Sequence, residues 1–312
     1  MNFTLLALLF GSLFGSGSSG PEIPSVVVEV TNLSPSRGTF LTPVWVGFHD
    51  GTFDSYDGGQ PASVPLGGVE IERLAEDGNT GPISDTFDTL TGGGVQATIP
   101  GPAGPFAPGE TRRVTFNLDP DLDRYFSYAS MIIPSNDAFI ANGNPLAHQI
   151  FDEYGYFVAT DFIVSGDETN DAGTEVNDEI AANVAFLGQA APNTGTDENG
   201  VVVTPFPGFA APGTLSLPDG ILNYPVFANS AVSGENDRVF GVRFRYVDLG
   251  RRLRFTSRLN AAQEVVAEVI DSDGTGRARL RPSDRRSRCA PPPRRRGSER
   301  PGRRGSRRRH RR

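Results

Sequence analysis

Hydrophobic and polar residues alternate, or apolar residues cluster in short runs, at several places between residues 26 and 247. Alternation directs every second side chain to one face and is typical of β-strands. The predicted strands are residues 26–31, 42–48, 110–118, 125–133, 156–164 and 239–247. Glycine pairs and Asp-Gly steps between them indicate turns. Many short strands separated by turn signals predict an all-β fold, an antiparallel β-sandwich.

Residues 69–76 depart from this alternation, because Val69, Leu74 and Ala75 lie near helical spacing. They predict a short helical piece within the β protein. Trp45 is the only tryptophan and is expected in the core. The inward positions predicted for the strand at 110–118 are Val114, Phe116 and Leu118. In the strand at 239–247, one face is predicted to carry Phe240, Val242, Phe244 and Tyr246.

The charge of the chain is divided into two opposite parts. Residues 277–312 hold 17 arginines and two acidic residues, whereas the rest holds 12 arginines and 35 acidic residues. The arginine-rich part has almost nothing to bury, so we predict a disordered tail over residues 277–312. A nucleic-acid arm is one interpretation of such a tail. We favour a shifted reading frame, and assign the tail no function and the protein no nucleic-acid partner.

The amino terminus predicts export. Residues 5–14 are apolar and are followed by a Gly/Ser-rich stretch. This run is too short to span a bilayer, so residues 1–22 are predicted to be a signal peptide, without a membrane span. The expected location is secreted, extracellular or in the cell envelope. The single cysteine, Cys289, excludes a disulfide within the chain, and three histidines argue against a histidine zinc site.

Residues 167–179 contain six carboxylates among thirteen residues. Carboxylates this close repel one another unless a cation neutralises them or water solvates them. Oxygen donors on a flexible loop favour Ca²⁺ over Zn²⁺. Two other interpretations remain: a solvated acidic loop, and an EF-hand. The EF-hand fits poorly, because Ala172 stands where that loop needs glycine and Asp178 where it needs a bidentate glutamate.

Several short motifs resemble one family. Residues 171–175, Asp-Ala-Gly-Thr-Glu, resemble the Asp-Ala-Gly-Thr-Asp signature of the spondin domain, the N-terminal module of the F-spondin and mindin family. Residues 131–140 are similar to that family's hydrophobic, Pro-Ser-x-Asp-x-Phe segment. Further matches follow in the family's order at residues 40–43, 49–50, 60–63 and 74–78. The chain departs from animal members because residues 23–250 contain no cysteine.

The resemblance implies a C2-like antiparallel sandwich over residues 23–250. It also implies one Ca²⁺ ion, of structural role, held by Asp137, Asp171 and Glu175, with Glu175 replacing the usual aspartate. A backbone carbonyl near residues 190–192 is a further candidate ligand. Residues 251–276 resemble the opening of a CHRD domain, a module first noted in chordin, and are too few to complete it.

The expected function is non-enzymatic: a calcium-binding module for adhesion or recognition of an unidentified cell-surface or matrix protein or glycan. The alternative is a secreted hydrolase of polysaccharide or peptide that uses paired carboxylates. No nucleophile or zinc motif supports it.

His49 and Asp50 are adjacent strand residues and should face opposite sides. Asp119, Asp121 and Asp123 are interpreted as a solvated turn. A structural envelope protein is the third possibility.

Overall fold

The computed structural model describes residues 23–247 and three later strands, 254–259, 265–270 and 277–280. The chain divides into two units, Met1–Leu249 and Gly250–Arg312, and each is described by itself. The predicted signal peptide, Cys289 and residues 281–312 of the predicted tail lie outside the described residues. Within the described part of the chain, no helix has the length and apolar character needed to cross a membrane.

Between residues 23 and 247, the first unit contains ten strands and two α-helices. The strands are β1 Ser25–Asn32, β2 Phe40–Leu41, β3 Val44–His49, β4 Gln96–Ile99, β5 Thr111–Asn117, β6 Tyr125–Ile133, β7 Ala138–Ala141, β8 Phe162–Ser165, β9 Asn170–Asp171 and β10 Arg238–Val247. The helices are α1 Glu70–Asp77 and α2 Gly81–Thr91.

The strands form two antiparallel sheets. The first has the order β5-β1-β10-β8, and the second has the order β4-β3-β6-β7-β9 with β2 paired to β6. The core lies between them: Phe48 of β3 contacts Phe116 of β5 with ring centroids 5.0 Å apart. Phe126 of β6 contacts Phe244 of β10 at 5.1 Å. The predicted antiparallel β-sandwich is confirmed.

Both helices lie on the other face of the second sheet. Trp45 is fully buried there, with its ring centroid 5.3 Å from that of Phe87 in α2. Its indole nitrogen donates to Oε1 of Gln96 at 2.6 Å. Strand β3 is therefore buried on both faces, because Val44 and Val46 enter the main core while Trp45 enters this second one. The predicted helix at 69–76 is confirmed as α1; α2 was not predicted.

One prediction about strands needs correction, and one about a strand face is confirmed. The strand expected at 156–164 is reduced to β8, because Phe157 forms only an isolated bridge with Phe151. The predicted face of β10 is confirmed, since Phe240, Val242, Phe244 and Tyr246 pair with every second residue of β1 from Asn32 to Val26. At the end of this face Tyr246 is 48% exposed. It lies beyond the part of β10 that pairs with β8, and its ring contacts Phe157 at 5.4 Å.

The described part of the second unit is a three-stranded antiparallel sheet. Its strands are β11 Arg254–Leu259, β12 Val265–Ile270 and β13 Arg277–Leu280, in that order across the sheet. Ala267 to Ile270 of β12 pair with β13. Regular structure therefore covers the first four residues of the segment predicted as a disordered tail.

Candidate metal centre

The pairing of β7 with β9 brings the predicted ligands together. Asp137 immediately precedes β7, and Ala138 pairs with Asp171, the last residue of β9. The amide of Ala172 donates to the carbonyl oxygen of Asp137 at 3.1 Å. The chain then turns back, so that the backbone amide of Glu175 donates a hydrogen bond to the side chain of Asp137. All three carboxylates are almost completely buried.

Asp137 is the centre of this cluster and is 0% exposed. Its Oδ2 accepts hydrogen bonds from the amides of Thr174 at 3.0 Å and Glu175 at 3.1 Å. Its Oδ1 is buried and has no hydrogen-bond partner among the described residues. Burial, and then the charge of Asp171, raise the pKa of Asp137 to about 7. A buried carboxylate with one free oxygen is costly unless a donor or cation satisfies it.

Asp171 is held by its own loop. Its Oδ1 accepts from the amide of Gly173 at 2.8 Å, and its Oδ2 accepts from the side-chain amide of Asn177. Gly173 has φ +65°, and a Cβ there would lie 2.5 Å from the carbonyl oxygen of Val201. Glycine is therefore required at the centre of the Asp-Ala-Gly-Thr-Glu segment, both for its backbone conformation and for space.

Glu175 lies against Gly195. A Cβ on Gly195 would stand 2.3 Å from Oε2 of Glu175, so the backbone there covers the carboxylate directly. Burial, followed by the charges of Glu76 and Asp137, raises the pKa of Glu175 to about 8. Burial and the neighbouring acids thus both oppose the charged form of this carboxylate.

A fourth acid, Glu76 of α1, was not among the predicted ligands. It is almost completely buried, and burial is the first cause that raises its pKa, to about 7. Its charge also acts on Asp137 and Glu175. Arg73 contacts Glu76 and pairs with Asp77 at 2.6 Å. The sequence predicted the helix that carries Glu76, but no local pattern indicates which loop that helix faces.

The loop near residues 190–192 lies beside α1. The amide of Asn193 donates to Oδ1 of Asp77 at 3.0 Å, which holds the loop over the helix end. The carbonyl of Ala191 accepts from the hydroxyl of Thr194 at 2.6 Å. One of the two lone pairs of this carbonyl oxygen is thus engaged within the loop.

The structure contradicts the EF-hand interpretation. The loop is preceded by β8 and a single 3₁₀ turn, Gly166–Glu168, and not by an α-helix. Oδ1 of Asp178 accepts from the amide of Ile180 at 2.9 Å, so this carboxylate closes a local turn. Oδ1 of Asp167 likewise accepts from the hydroxyl of Ser165 at 2.6 Å. The acidic loop therefore has buried members around Asp137 and outer members that serve its turns.

The donor set fits a hard cation in its chemistry. It consists of carboxylate oxygens, one of which is buried without a partner, and Ca²⁺ takes six to eight oxygen ligands. No group of three or more His, Cys, Asp or Glu side chains in the described residues is already arranged as a metal site. The chain contributes four mutually interacting acids and Arg73 as the nearby cation.

A second group of titratable residues surrounds a hollow of about 370 Å³ that His49, Asp50, Asp119 and Asp123 help to line. His49 is the last residue of β3 and is buried, whereas Asp50 follows the strand and is exposed. The prediction that they are adjacent strand residues on opposite sides is therefore wrong, since both line this hollow. The amide of Gly51 donates to Nδ1 of His49, whose Nε2 lies 2.9 Å from the hydroxyl of Ser127. Burial lowers the pKa of His49 to about 4.

The prediction of a solvated turn at Asp119, Asp121 and Asp123 is wrong for Asp123, which is almost completely buried. The reason is that its Oδ2 accepts from the amide of Asp119 at 2.7 Å and so closes the turn from inside. Burial raises the pKa of Asp123 to about 6.

No protein-family model matches the chain, and no curated protein matches it either. The resemblance to spondin domains therefore rests on the motifs quoted above.

Proposed function

We propose that this protein is an exported, non-enzymatic module of the spondin type that binds one Ca²⁺ ion and serves recognition or adhesion at a cell surface or matrix. The ion would be held by Asp137, Asp171 and Glu175. It would supply a positive charge that the cluster lacks, and so fix the loop against the end of β7. Its role in this proposal is structural.

A single observation carries the proposal: Oδ1 of Asp137 is fully buried and has no hydrogen-bond partner among the described residues. The opposite oxygen is held by two backbone amides, which fixes the carboxylate plane. Leaving a buried acceptor unsatisfied costs about 1–3 kcal/mol, and more for a charged group. A bound cation removes this cost, and it removes the repulsion among the neighbouring acids at the same time.

The residues have separate roles in this proposal. Asp137 provides the oxygen that is already directed and free. Asp171, whose Oδ1 is held by the amide of Gly173, and Glu175, next to Gly195, provide further oxygens from the same loop. Glu76 adds negative charge from α1 and raises the affinity of the cluster for a cation.

Calcium titration of the metal-free protein by isothermal calorimetry tests the proposal. We expect a 1:1 isotherm for the wild-type protein and a loss of at least about tenfold in affinity for Asp137→Asn, equivalent to about 1.4 kcal/mol. Asp121→Asn is the matched control, because Asp121 is an exposed acid of another loop. Absence of binding by the wild-type protein, or equal affinities for the two variants, would refute the calcium site.

The recognition role is tested separately. The protein is applied to an array of matrix proteins and glycans in Ca²⁺ and in chelator, alongside Asp137→Asn. Specific retention that weakens with chelator and with the variant supports a loop whose shape depends on the ion. An unrelated acidic protein applied to the same array gives the background. If no array component retains this protein above that background, the result argues against recognition and in favour of a purely structural envelope protein.

A secreted hydrolase is the second candidate, and the hollow beside His49 is the observation that favours it. Hydrogen bonds from Thr52 lower the pKa of Asp50, whereas burial raises that of Asp123 to about 6. Acids with separated pKa values are what acid–base catalysis needs. We rank this function second because Oδ2 of Asp123 is engaged by a backbone amide. Hydrolysis of a polysaccharide or peptide that is lost in both Asp50→Asn and Asp123→Asn would reverse the ranking.

A further inference from the structure

The outer face of the first sheet contains a groove of about 580 Å³. Its floor is set by strand register, because Thr31 of β1 pairs with Gly241 of β10, which in turn pairs with Ile163 of β8. Gly241 has no side chain, and the side chain of Leu33 lies over it, since a Cβ at Gly241 would stand 2.9 Å from Cδ1 of Leu33, which also lines the groove. Ile163 is 48% exposed beside it, and the hydroxyls of Thr31 and Thr111 lie 2.9 Å apart at the other end.

The groove is bordered by arginines. Arg243 and Arg113 are both largely exposed and both contact Glu29, and Arg245 pairs with Asp161 at 3.1 Å. Arg238 also lines the groove, is exposed, and forms no ion pair with the described residues. The face thus carries four arginines and two acids.

This balance is unusual for the protein. Residues 23–247 contain eight arginines, no lysine and 29 acidic residues. Four of these eight arginines therefore lie on one sheet face, whereas acidic residues predominate in residues 23–247 as a whole. Because arginine binds carboxylates through paired hydrogen bonds, this face is complementary to an anionic ligand.

We propose that this groove binds an acidic polysaccharide, that is, a glycan whose sugar rings carry carboxylate groups. Arg238 and Arg243 would bind the carboxylates, and the threonine hydroxyls would bind the sugar hydroxyls. The apolar surface of Ile163 would receive a ring face. Such a combination of an apolar floor and a few directed polar groups is typical of small-ligand sites, and the volume lies in their usual range.

Other classes of partner fit the groove less well. The floor strand β10 is paired on both sides, to β1 and to β8, so the groove offers no free strand edge to an extended peptide. The excess of acids in residues 23–247 opposes nucleic acid, whose binding depends on neutralising many phosphates. An acidic sugar needs only one or two arginines.

The inference goes beyond the proposed function, because the groove lies on a different sheet from Asp137. The two fail separately: Asp137→Asn should remove calcium binding and leave sugar binding unchanged. If Asp137→Asn weakened sugar binding as much as Arg238→Ala, the groove would not be the sugar site.

Calorimetry of the full chain with trigalacturonate tests the groove, with neutral maltotriose as the comparison sugar. We expect binding of trigalacturonate alone, and a loss of about tenfold or more for Arg238→Ala and for Arg243→Ala. Arg112→Ala is the matched control, because Arg112 is an exposed arginine of β5 that does not line the groove. The arginine-rich carboxyl terminus is the same in every variant, so it cannot produce a difference among them.

Two results would overturn the proposal. Equal affinities for Arg238→Ala, Arg112→Ala and the wild-type protein would place any sugar binding outside the groove. Equal binding of a triglutamate peptide would show attraction to carboxylates in general, and would contradict the assignment to a sugar. Thermal midpoints of the variants within error of the wild-type value show that a loss of binding is not a loss of folding.

Discussion

The backbone amide of Glu175 donates a hydrogen bond to Oδ2 of Asp137 over 3.1 Å, and this contact joins residues that are 38 positions apart. It brings two buried carboxylates close together. Desolvation and mutual repulsion then raise the pKa values of both. The loop is therefore closed by hydrogen bonds but opposed by its own charge, which a bound cation would relieve.

The first prediction concerns pH. Asp137 and Glu76 with pKa values of about 7, and Glu175 with about 8, hold protons in the folded state that the unfolded chain has lost above pH 4.5. Folding therefore takes up protons, and the free energy of unfolding of the metal-free protein should fall as the pH rises. Because the pKa values of these three carboxyl groups are raised to about 7 or 8 in the folded state, the free energy of unfolding should decrease between about pH 4 and pH 8.

The histidines restrict the useful window. The lowered pKa values of His49 and His148, both about 4, give stability that is lost as the pH falls below 6.5, which opposes the carboxyl effect there. Urea unfolding of the metal-free protein between pH 6.5 and 8 isolates the carboxyls. We expect stability to decrease across this window, less so in Asp137→Asn, and not at all with saturating Ca²⁺. A flat metal-free profile would contradict the raised pKa values.

The second prediction uses Gly195. In Gly195→Ala the new Cβ would stand 2.3 Å from Oε2 of Glu175, so the carboxylate must turn away. We expect calcium affinity to fall about tenfold, or 1.4 kcal/mol, while the protein still folds. Calorimetry measures the affinity, and circular dichroism the fold.

Gly58→Ala is the matched control for Gly195→Ala. Nothing lies within 4 Å of a Cβ at Gly58. Its calcium affinity should equal that of the wild-type protein. The same affinity in both variants would remove Glu175 from the site.

The third prediction concerns the helix that the sequence did not predict. Phe87 of α2 is fully buried against Trp45 and Phe53, with ring centroids 5.3 and 4.9 Å away. Phe87→Ala should lower the free energy of unfolding by about 3–5 kcal/mol. Denaturant unfolding followed by Trp45 fluorescence measures this directly, because Trp45 is the only tryptophan.

Leu90 provides the control within the same helix. It is 59% exposed, so Leu90→Ala should change stability by no more than about 0.5 kcal/mol. Similar costs for the two variants would show that α2 does not pack on β3 through Phe87.

Sequence pattern predicted the strands that form the centre of each sheet. Residues 125–133 match β6 in full, because this strand is bounded by a turn and by Pro134 and is dense in aromatic and branched side chains. Helix α2 was missed because it offers only Ile83 and Phe87 as buried apolar residues among eleven. The predicted strand at 156–164 was too long, because only Phe162 to Ser165 pair with β10 while Phe157 forms an isolated bridge with Phe151.

The candidate site was predicted only in part. Motif resemblance indicated Asp137, Asp171 and Glu175, and the pairing of β7 with β9 places them together. Glu76 could not be assigned from sequence, because its place in the cluster depends on how α1 packs on the second sheet. The burial of Asp123 was missed for a similar reason, since a turn of alternating acids gives no sign of which one points inward.

The most direct test of the calcium site is thermal unfolding of the protein with Ca²⁺ and with chelator, repeated for Asp171→Ala and Glu175→Ala. A ligand at a hundredfold excess over its dissociation constant stabilises the folded state by about 2.7 kcal/mol. We expect a clear drop of the wild-type thermal midpoint on chelation and no drop in either variant. An unchanged wild-type midpoint, or an equal drop in all three proteins, would contradict the calcium site.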